Sequence, residues 1–264
     1  MKRQVDNRKG FTLIELLLAM AVFLVICGAM FGLLEVSQQR YSSETQLSGA
    51  FQETRLAVDQ ISRDVNDAGF PSAGMFSKLP DPTLYAFSPV AWVPGYSATS
   101  CFIGTGGGGT CTTPGDFDLI LETTLQTPTG PVVSWIRYQL QGTTLYRAVA
   151  AKTDTDPSGP TTAPGIMVPF LTNVMNNATG QFLQITASYP TMFPTGNPVP
   201  IFQFMCDTPT GAVACPLAGT YNSPQNIRDV DITLIVQTQQ PDAQTGQLKL
   251  IELNGRGHRL NPSN

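Results

Sequence analysis

The sequence predicts an α+β protein in which one long N-terminal helix is followed by an antiparallel β-sheet. Two observations support this fold class. Residues 11–67 contain no proline and are rich in helix-forming residues, whereas all 21 prolines follow residue 68. Beyond residue 71 the apolar residues occur in short runs with a period of two, which is typical of strands.

The first half of the predicted helix is apolar on every side. Glu15 is the only charged residue within residues 11–34. These residues would form a helix of about 36 Å, long enough to cross a hydrocarbon layer of about 30 Å. The preceding ten residues carry a net charge of +3, which places the N-terminus in the cytoplasm and the remaining chain across the membrane.

Two ordinary export signals also combine a basic start with an apolar run. A cleaved signal peptide has a shorter apolar region and ends in an A-x-A-like site, which does not follow Leu34. A plain signal anchor fits everything except Glu15, because a carboxylate in the apolar layer costs about 2–3 kcal/mol. The sequence therefore predicts a partner for the Glu15 charge.

The second half of the helix, residues 35–69, is predicted to be amphipathic. Apolar and small residues recur at alternating spacings of four and three, which places them on one face. That stripe comprises Leu47, Phe51, Thr54, Val58, Ile61, Val65 and Ala68. Gly69 and Pro71 are a plausible helix stop. Together the two halves predict a continuous helix of about 57 residues, or about 85 Å.

The C-terminal part, residues 70–264, is predicted to form a β-rich head. A hairpin is expected around residues 141–143, and Pro-rich loops are expected at 71–94, 153–164 and 189–200. The strand candidates are residues 118–125, 132–140, 144–150, 182–188, 201–205, 229–237 and 247–253.

Four of the five cysteines lie in the predicted head, on the exported side of the membrane. They form two local pairs, Cys101/Cys111 and Cys206/Cys215, while Cys27 lies in the apolar helix. Four cysteines allow three pairings, and the local pairing, Cys101–Cys111 and Cys206–Cys215, is favoured because short loops close most readily. Zinc is the alternative, but neither pair has C-x-x-C spacing and His258 is the sole histidine.

The residues offer little support for catalysis, a cofactor or nucleic-acid binding. His258 lies in a Gly/Arg-rich tail and is expected to be a surface residue. The net charge of −4 argues against a basic nucleic-acid-binding face. Calcium binding is an alternative to simple solvation for three D-x-D pairs, but none has an EF-hand-like loop. The three pairs are Asp116/Asp118, Asp154/Asp156 and Asp229/Asp231.

The segment Lys9-Gly10-Phe11-Thr12-Leu13-Ile14-Glu15 resembles the processing site of type IV prepilins and type II secretion pseudopilins. The resemblance implies that a prepilin peptidase cuts after Gly10 and methylates the new N-terminal amine of Phe11. It further implies that Glu15 neutralises the N-terminal amine of a neighbouring subunit, which would supply the missing partner.

Residues 52–71 resemble the end of this helix in PilW-type minor pilins and large J-type pseudopilins, through Arg63-Asp64 and Ala68-Gly69-Phe70. The expected function is a minor pilin that initiates or caps a type IV pilus. The alternatives are a type II secretion pseudopilin and a filament-tip adhesin or binding module; no enzymatic activity is expected. The implied partners are other pilin subunits, the peptidase, the inner-membrane assembly platform and the membrane.

This resemblance divides the chain into four parts. Residues 1–10 are expected to form a cytoplasmic leader, and residues 11–34 a transmembrane helix that becomes the filament core. Residues 35–69 are expected to continue the helix, and residues 70–264 to form a periplasmic, later cell-surface, head.

Overall fold

A computed structural model of the chain describes residues 11–69, 90, 115–151, 167–177, 189–193, 198–215, 226–242 and 245–260. One helix of 54 residues, α1 (Leu13–Asn66), precedes all the strands. The strands are β1 (Asp118–Thr127), β2 (Gly130–Gln141), β3 (Thr144–Ala151), β4 (Val168–Leu171), β5 (Phe202–Thr208), β6 (Gly211–Ala214), β7 (Ile227–Gln237) and β8 (Leu250–His258).

The described strands form two antiparallel sheets of four strands each. Sheet I has the order β1-β2-β3-β4, and sheet II has the order β6-β5-β7-β8. Backbone hydrogen bonds join the two sheets. The carbonyl of Asp116, before β1, accepts from the amides of Ile201 (2.9 Å) and Phe202 (3.1 Å) at the start of β5. The amide of Val174, after β4, donates to the carbonyl of Thr143 (2.8 Å), and Val174 also bridges to Val236 of β7.

The second half of α1 and both sheets share one hydrophobic core. The helix contributes Ala57, Val58, Ile61 and Val65, and Ala68 follows directly after it; all of them are buried. Burying side chains of this size stabilises a fold by roughly 1.5–3 kcal/mol each for valine and isoleucine. The sheets contribute mainly inward-facing residues of alternating positions, including Leu119, Leu121, Ile136, Leu145, Phe202, Val230, Ile232 and Leu234.

Two glycines of β8 allow the helix to approach sheet II closely. A Cβ atom on Gly255 would lie 2.2 Å from Cγ1 of Val58, and one on Gly257 would lie 2.5 Å from Cβ of Val65. Both distances are far below van der Waals contact, and the obstructing atoms are branched close to the helix backbone. The seating of α1 on β8 therefore requires that these two positions lack side chains.

The architecture is α+β, with one long N-terminal helix packed against antiparallel sheets, and this type IV pilin-like arrangement confirms the predicted fold class. The sequence correctly predicts six of the eight strands in the described part of the chain, but it misses β4 and β6, of four residues each. Strand candidate 182–188 lies outside the described residues.

Two details of the sequence prediction were wrong. The Gly/Arg-rich segment ending at His258 was expected to be a tail, but it is the second half of β8, because its glycines fit under the helix. Phe51 was expected on the packed face of α1, but it remains 42% exposed, whereas Ala57 and Asp64 are buried. The predicted apolar stripe repeats about every 3.5 residues, whereas an α-helix has 3.6 residues per turn. The stripe therefore rotates gradually around the helix and leaves the packed face.

The glycine contact gives a stability prediction. Gly257→Ala should lower the free energy of unfolding of the full chain in detergent by about 1–3 kcal/mol, because the helix must shift to admit the methyl group. Urea unfolding followed by tryptophan fluorescence measures it. The matched control is Gly49→Ala in α1, where an added Cβ meets nothing within 4 Å; it should be neutral or stabilise by up to about 1 kcal/mol. Equal unfolding midpoints for Gly257→Ala and the unmodified chain would contradict the close approach.

Candidate assembly site

The first half of α1 projects out of the head with its apolar side chains uncovered. Residues 11–38 are all exposed except Cys27, which is half-buried. The exposed fractions of Phe11 (88%), Phe23 (65%) and Leu33 (73%) show that this holds along the whole segment. By length and composition α1 is able to cross a membrane. A stretch this apolar is stable only in lipid or against other apolar helices.

The helix begins with a reciprocal hydrogen-bonded cap between Thr12 and Glu15. A carboxylate oxygen of Glu15 accepts from the Thr12 amide (2.9 Å) and hydroxyl (2.8 Å), and the Glu15 amide approaches the Thr12 hydroxyl (3.4 Å). This is a capping box. The T-x-x-E spacing of Thr12 and Glu15 is the signal in the sequence for this cap, a role of Glu15 that its charge and the surrounding hydropathy do not reveal. Glu15 therefore has a local role in starting the helix besides any role with a neighbouring subunit.

Ser43 of α1 is hydrogen-bonded to the connection between β7 and β8. The Ser43 hydroxyl donates to Asp242 (2.8 Å) and accepts from the Lys249 ammonium (3.0 Å), while Lys249 and Asp242 form an ion pair at 2.7 Å. Gln46, one turn further along, accepts from the backbone amide of Gln240 (3.2 Å). These contacts mark where the free half of α1 ends and the packed half begins.

A buried polar cluster holds the far end of α1 to sheet I. Asp64 on the helix accepts from the Tyr138 hydroxyl on β2 (2.5 Å) and from Nη2 of Arg147 on β3 (2.8 Å). Its other carboxylate oxygen accepts from Gln60 (2.8 Å), and Arg147 Nε lies 2.9 Å from the Tyr138 oxygen. A buried carboxylate with this many donors is compensated for its lost hydration, and its position fixes the rotation of the helix.

The C-terminal end of the helix is hydrogen-bonded to β1, as well as to β8. Thr123 donates its hydroxyl to the Asp67 carbonyl (2.9 Å), and the Gly69 amide donates to the Glu122 carbonyl (2.9 Å). Gly69 has φ = 77°, a left-handed conformation that favours glycine. The predicted helix stop at this glycine is thus explained by its backbone geometry.

The structure separates the predicted site residues. Glu15 and Phe11 lie at the free end of the helix, whereas Gly10, Cys101 and Cys111 lie outside the described residues. Cys206 and Cys215 are joined in a disulfide that links β5 to the residue following β6. Cys27 is a free thiol in the apolar half-helix.

The acidic pairs considered for calcium are largely bound to basic side chains instead. Asp118 pairs with Arg137, Asp231 with Arg256 (2.5 Å) and Asp229 with Nδ1 of His258 (2.5 Å). His258 is thus a strand residue bound to a carboxylate, and its amide donates to Asn66 at the end of α1 (2.8 Å). Within the described part of the chain, no three His, Cys, Asp or Glu side chains converge to hold a metal ion. Asp154 and Asp156 lie outside it.

Comparison with known families identifies a match at the N-terminal end of the chain. Residues 6–31 match the family described as the prokaryotic N-terminal methylation motif. Searches of curated proteins and of solved structures found no significant match to the chain. The motif supports membership of the type IV pilin and pseudopilin family, whose members are structural subunits rather than enzymes. It implies processing by prepilin peptidase and assembly with other pilins, and together with the apolar helix it suggests membrane anchoring.

The buried cluster gives a pH-dependent prediction. Burial, and then the negative charge of Asp64, raise the pKa of Tyr138 above its usual value. The folded chain therefore holds the Tyr138 proton more tightly than the unfolded chain. This contribution to stability is complete below the unfolded pKa of about 10 and is lost as the pH rises above it.

Between about pH 9.5 and 11.5, the free energy of unfolding of Tyr138→Phe should therefore depend less on pH than that of the unmodified chain. Tyr41→Phe, at an exposed helix position, is the control. Parallel pH profiles for the unmodified chain and Tyr138→Phe would contradict this coupling.

Proposed function

We propose that this chain is a minor type IV pilin, a structural subunit of the initiation or tip complex of a pilus. One observation carries the proposal: a prepilin methylation motif leads directly into an apolar half-helix that the head leaves uncovered. A subunit built this way can rest in a membrane and then exchange lipid for the helices of its neighbours without refolding its head. The transfer conserves apolar burial, because the surroundings of residues 11–34 stay nonpolar throughout.

In this proposal the four parts of the chain have distinct roles. Residues 1–10 form a cytoplasmic leader that prepilin peptidase removes after Gly10, leaving Phe11 as the N-methylated first residue. Residues 11–34 anchor the chain in the inner membrane and then join the filament core. Residues 35–69 carry the head, residues 70–264, first in the periplasm and then on the cell surface, and the inner-membrane assembly platform effects the transfer.

Glu15 has two roles in sequence. Before assembly its carboxylate is occupied by the amide and hydroxyl of Thr12. After cutting, the Phe11 amine of an adjacent subunit supplies a positive charge in a region of low dielectric, where attraction between opposite charges is strong. The pairing offsets the cost of holding Glu15 in an apolar layer and fixes the axial position of one helix against the next.

Two Glu15 variants separate the capping role from the charge role. Glu15→Gln keeps a side chain able to cap Thr12, since a capping box accepts Gln in place of Glu, but it removes the charge. Glu15→Leu removes both. If the charge directs assembly, both variants should be cut normally and both should be depleted from sheared surface filaments. Immunoblots of membrane and sheared fractions measure cutting and incorporation together. Normal incorporation of Glu15→Gln alongside failure of Glu15→Leu would reduce the role of Glu15 to helix capping.

The control for cutting is a bulky residue at position 10. Gly10→Trp should remain at precursor mass in the membrane, because a bulky side chain at the cut would keep the backbone out of a tight peptidase site. A type II pseudopilin shares this N-terminus and would respond to both changes, but its mature form would stay in the membrane fraction. Mature chain that never reaches the sheared fraction would therefore favour the pseudopilin.

A further inference from the structure

A groove runs along one side of the packed half of α1. Three cavities follow one another there, of about 260, 160 and 530 Å³, and neighbouring cavities share Gln46 and Glu53 as lining residues. The opposite wall is formed in turn by the connection between β7 and β8, by Asn173 with the end of β7, and by β4. The groove therefore extends over about 36 Å of helix, from the level of Gln39 to that of Arg63.

The α1 residues that line the groove include a seam with the spacing of a coiled coil. Starting at Gln39 and ending at Arg63, every residue at alternating intervals of three and four lines one of the three cavities. This seam shares no residue with the stripe that the sequence predicts for packing on the sheets. An average repeat of 3.5 residues is the pattern that one helix presents to a second helix lying along it. The spacing therefore indicates a helix as the occupant of the groove.

The same seam continues into the uncovered half of α1. Counting back from Gln39 by four, three and four residues reaches Glu35, Gly32 and Gly28. A Cβ atom on either glycine would meet nothing within 4 Å, and in an apolar layer such a pair allows two helix backbones to approach closely. A helix seated in the groove can therefore follow α1 into the membrane. Because both helices are anchored there, they run in the same direction.

Charge distinguishes among the helices that could occupy the groove. Glu35 and Glu53 are 18 residues apart, which is five helical turns, so they lie on the same face of α1. Both are exposed, and among the described residues neither forms an ion pair. In a two-fold pairing of two copies each glutamate would face its own equivalent, which is unfavourable. A helix with a basic residue at each of these levels is favoured instead.

One large apolar side chain of the seam lies in the largest cavity. Leu56 is 69% exposed, and it lines this cavity together with Pro169 and Phe170 of β4. An apolar side chain of a partner placed there would remove Leu56 from water. The seam thus combines an apolar contact point with two charges that select the partner.

We propose that this groove receives the N-terminal helix of a single pilin subunit of different sequence, lying parallel to α1 with basic residues opposite Glu35 and Glu53. The inference rests on the proposed function, since it assumes a partner anchored in the same membrane and filament. Contact between the seam and another face of a second copy would repeat from copy to copy, which does not suit an initiation or tip complex. The groove therefore determines which subunit stands next to this one in that complex.

Site-specific photo-crosslinking in cells tests the groove. The full chain carries p-benzoylphenylalanine in place of Ser42, which lies on the seam, or in place of Ser48 as the matched control. Both serines are exposed on α1, but Ser48 lines none of the three cavities. Ser42 should give a product with a different pilin, cross-linked within that subunit's N-terminal helix, and the control should lose this product. Leu56 provides a second seam position should the Ser42 variant not accumulate.

Charge reversal provides a second measurement. In the chain with the photo-crosslinker at Ser42, Glu53→Lys should lower the yield of the product roughly two- to fivefold, the range expected for one exposed charge pair. The matched control is Glu44→Lys, which makes the same change of charge at an exposed position of α1 that lines none of the three cavities. It should leave the yield unchanged.

The outcomes separate this inference from the function on which it rests. A product specific to the seam position that weakens with Glu53→Lys but not with Glu44→Lys supports the groove. Mature chain without that product, or equal products from Ser42 and Ser48, overturns the inference and leaves the pilin assignment standing. A product only with a second copy or with a protein that is not a pilin, or equal weakening by both charge reversals, also overturns it. A chain that is never cut after Gly10 contradicts the proposed function first.

Discussion

The structure depends on the close seating of α1 against β8. Gly255 and Gly257 leave room for Val58 and Val65. The helix can therefore pack against both sheets in one hydrophobic core. Polar contacts then define the orientation of the helix on the sheets. Asp64 sets the rotation of the helix through its hydrogen bonds to Tyr138 and Arg147. Ser43 sets its axial position through Asp242, which is paired with Lys249. Packing provides most of the attraction, and the hydrogen-bonded groups select one geometry from those that packing permits.

Because only its second half packs against the head, α1 is suited to two environments, one aqueous and one apolar. From Ser43 onward α1 belongs to a water-exposed head, whereas the preceding residues need an apolar surrounding that the head does not supply. Because the packed half is held at both ends, the free half can change partners from lipid to protein without loss of the core. The capping box at Thr12 and Glu15 completes the free end locally and hydrogen-bonds the Glu15 carboxylate. In the proposed assembly, the amine of a neighbouring subunit takes over that contact.

Sequence periodicity predicted the elements that depend on local pattern and missed those that depend on tertiary contacts. The long helix, its stop at Gly69 and the hairpin of β2 and β3 follow from apolar spacing and turn residues. The end of β8 was missed because Gly255 and Gly257 look like a flexible tail until a helix is placed over them. No local pattern marks Asp64 as the buried partner of a cluster, because only the fold brings it to Tyr138 and Arg147, 74 and 83 positions away. β4 and β6 are too short for a period-two signal.

The most direct test of the central claim is the N-terminal sequence and mass of the native chain, recovered separately from sheared surface filaments and from inner membrane. The prepilin motif and the uncovered half-helix predict a mature chain that starts at N-methylated Phe11 and is present in the sheared fraction. An intact Met1, or a start beyond residue 34, would contradict it, because the apolar half-helix would then be either an uncut anchor or a discarded signal peptide.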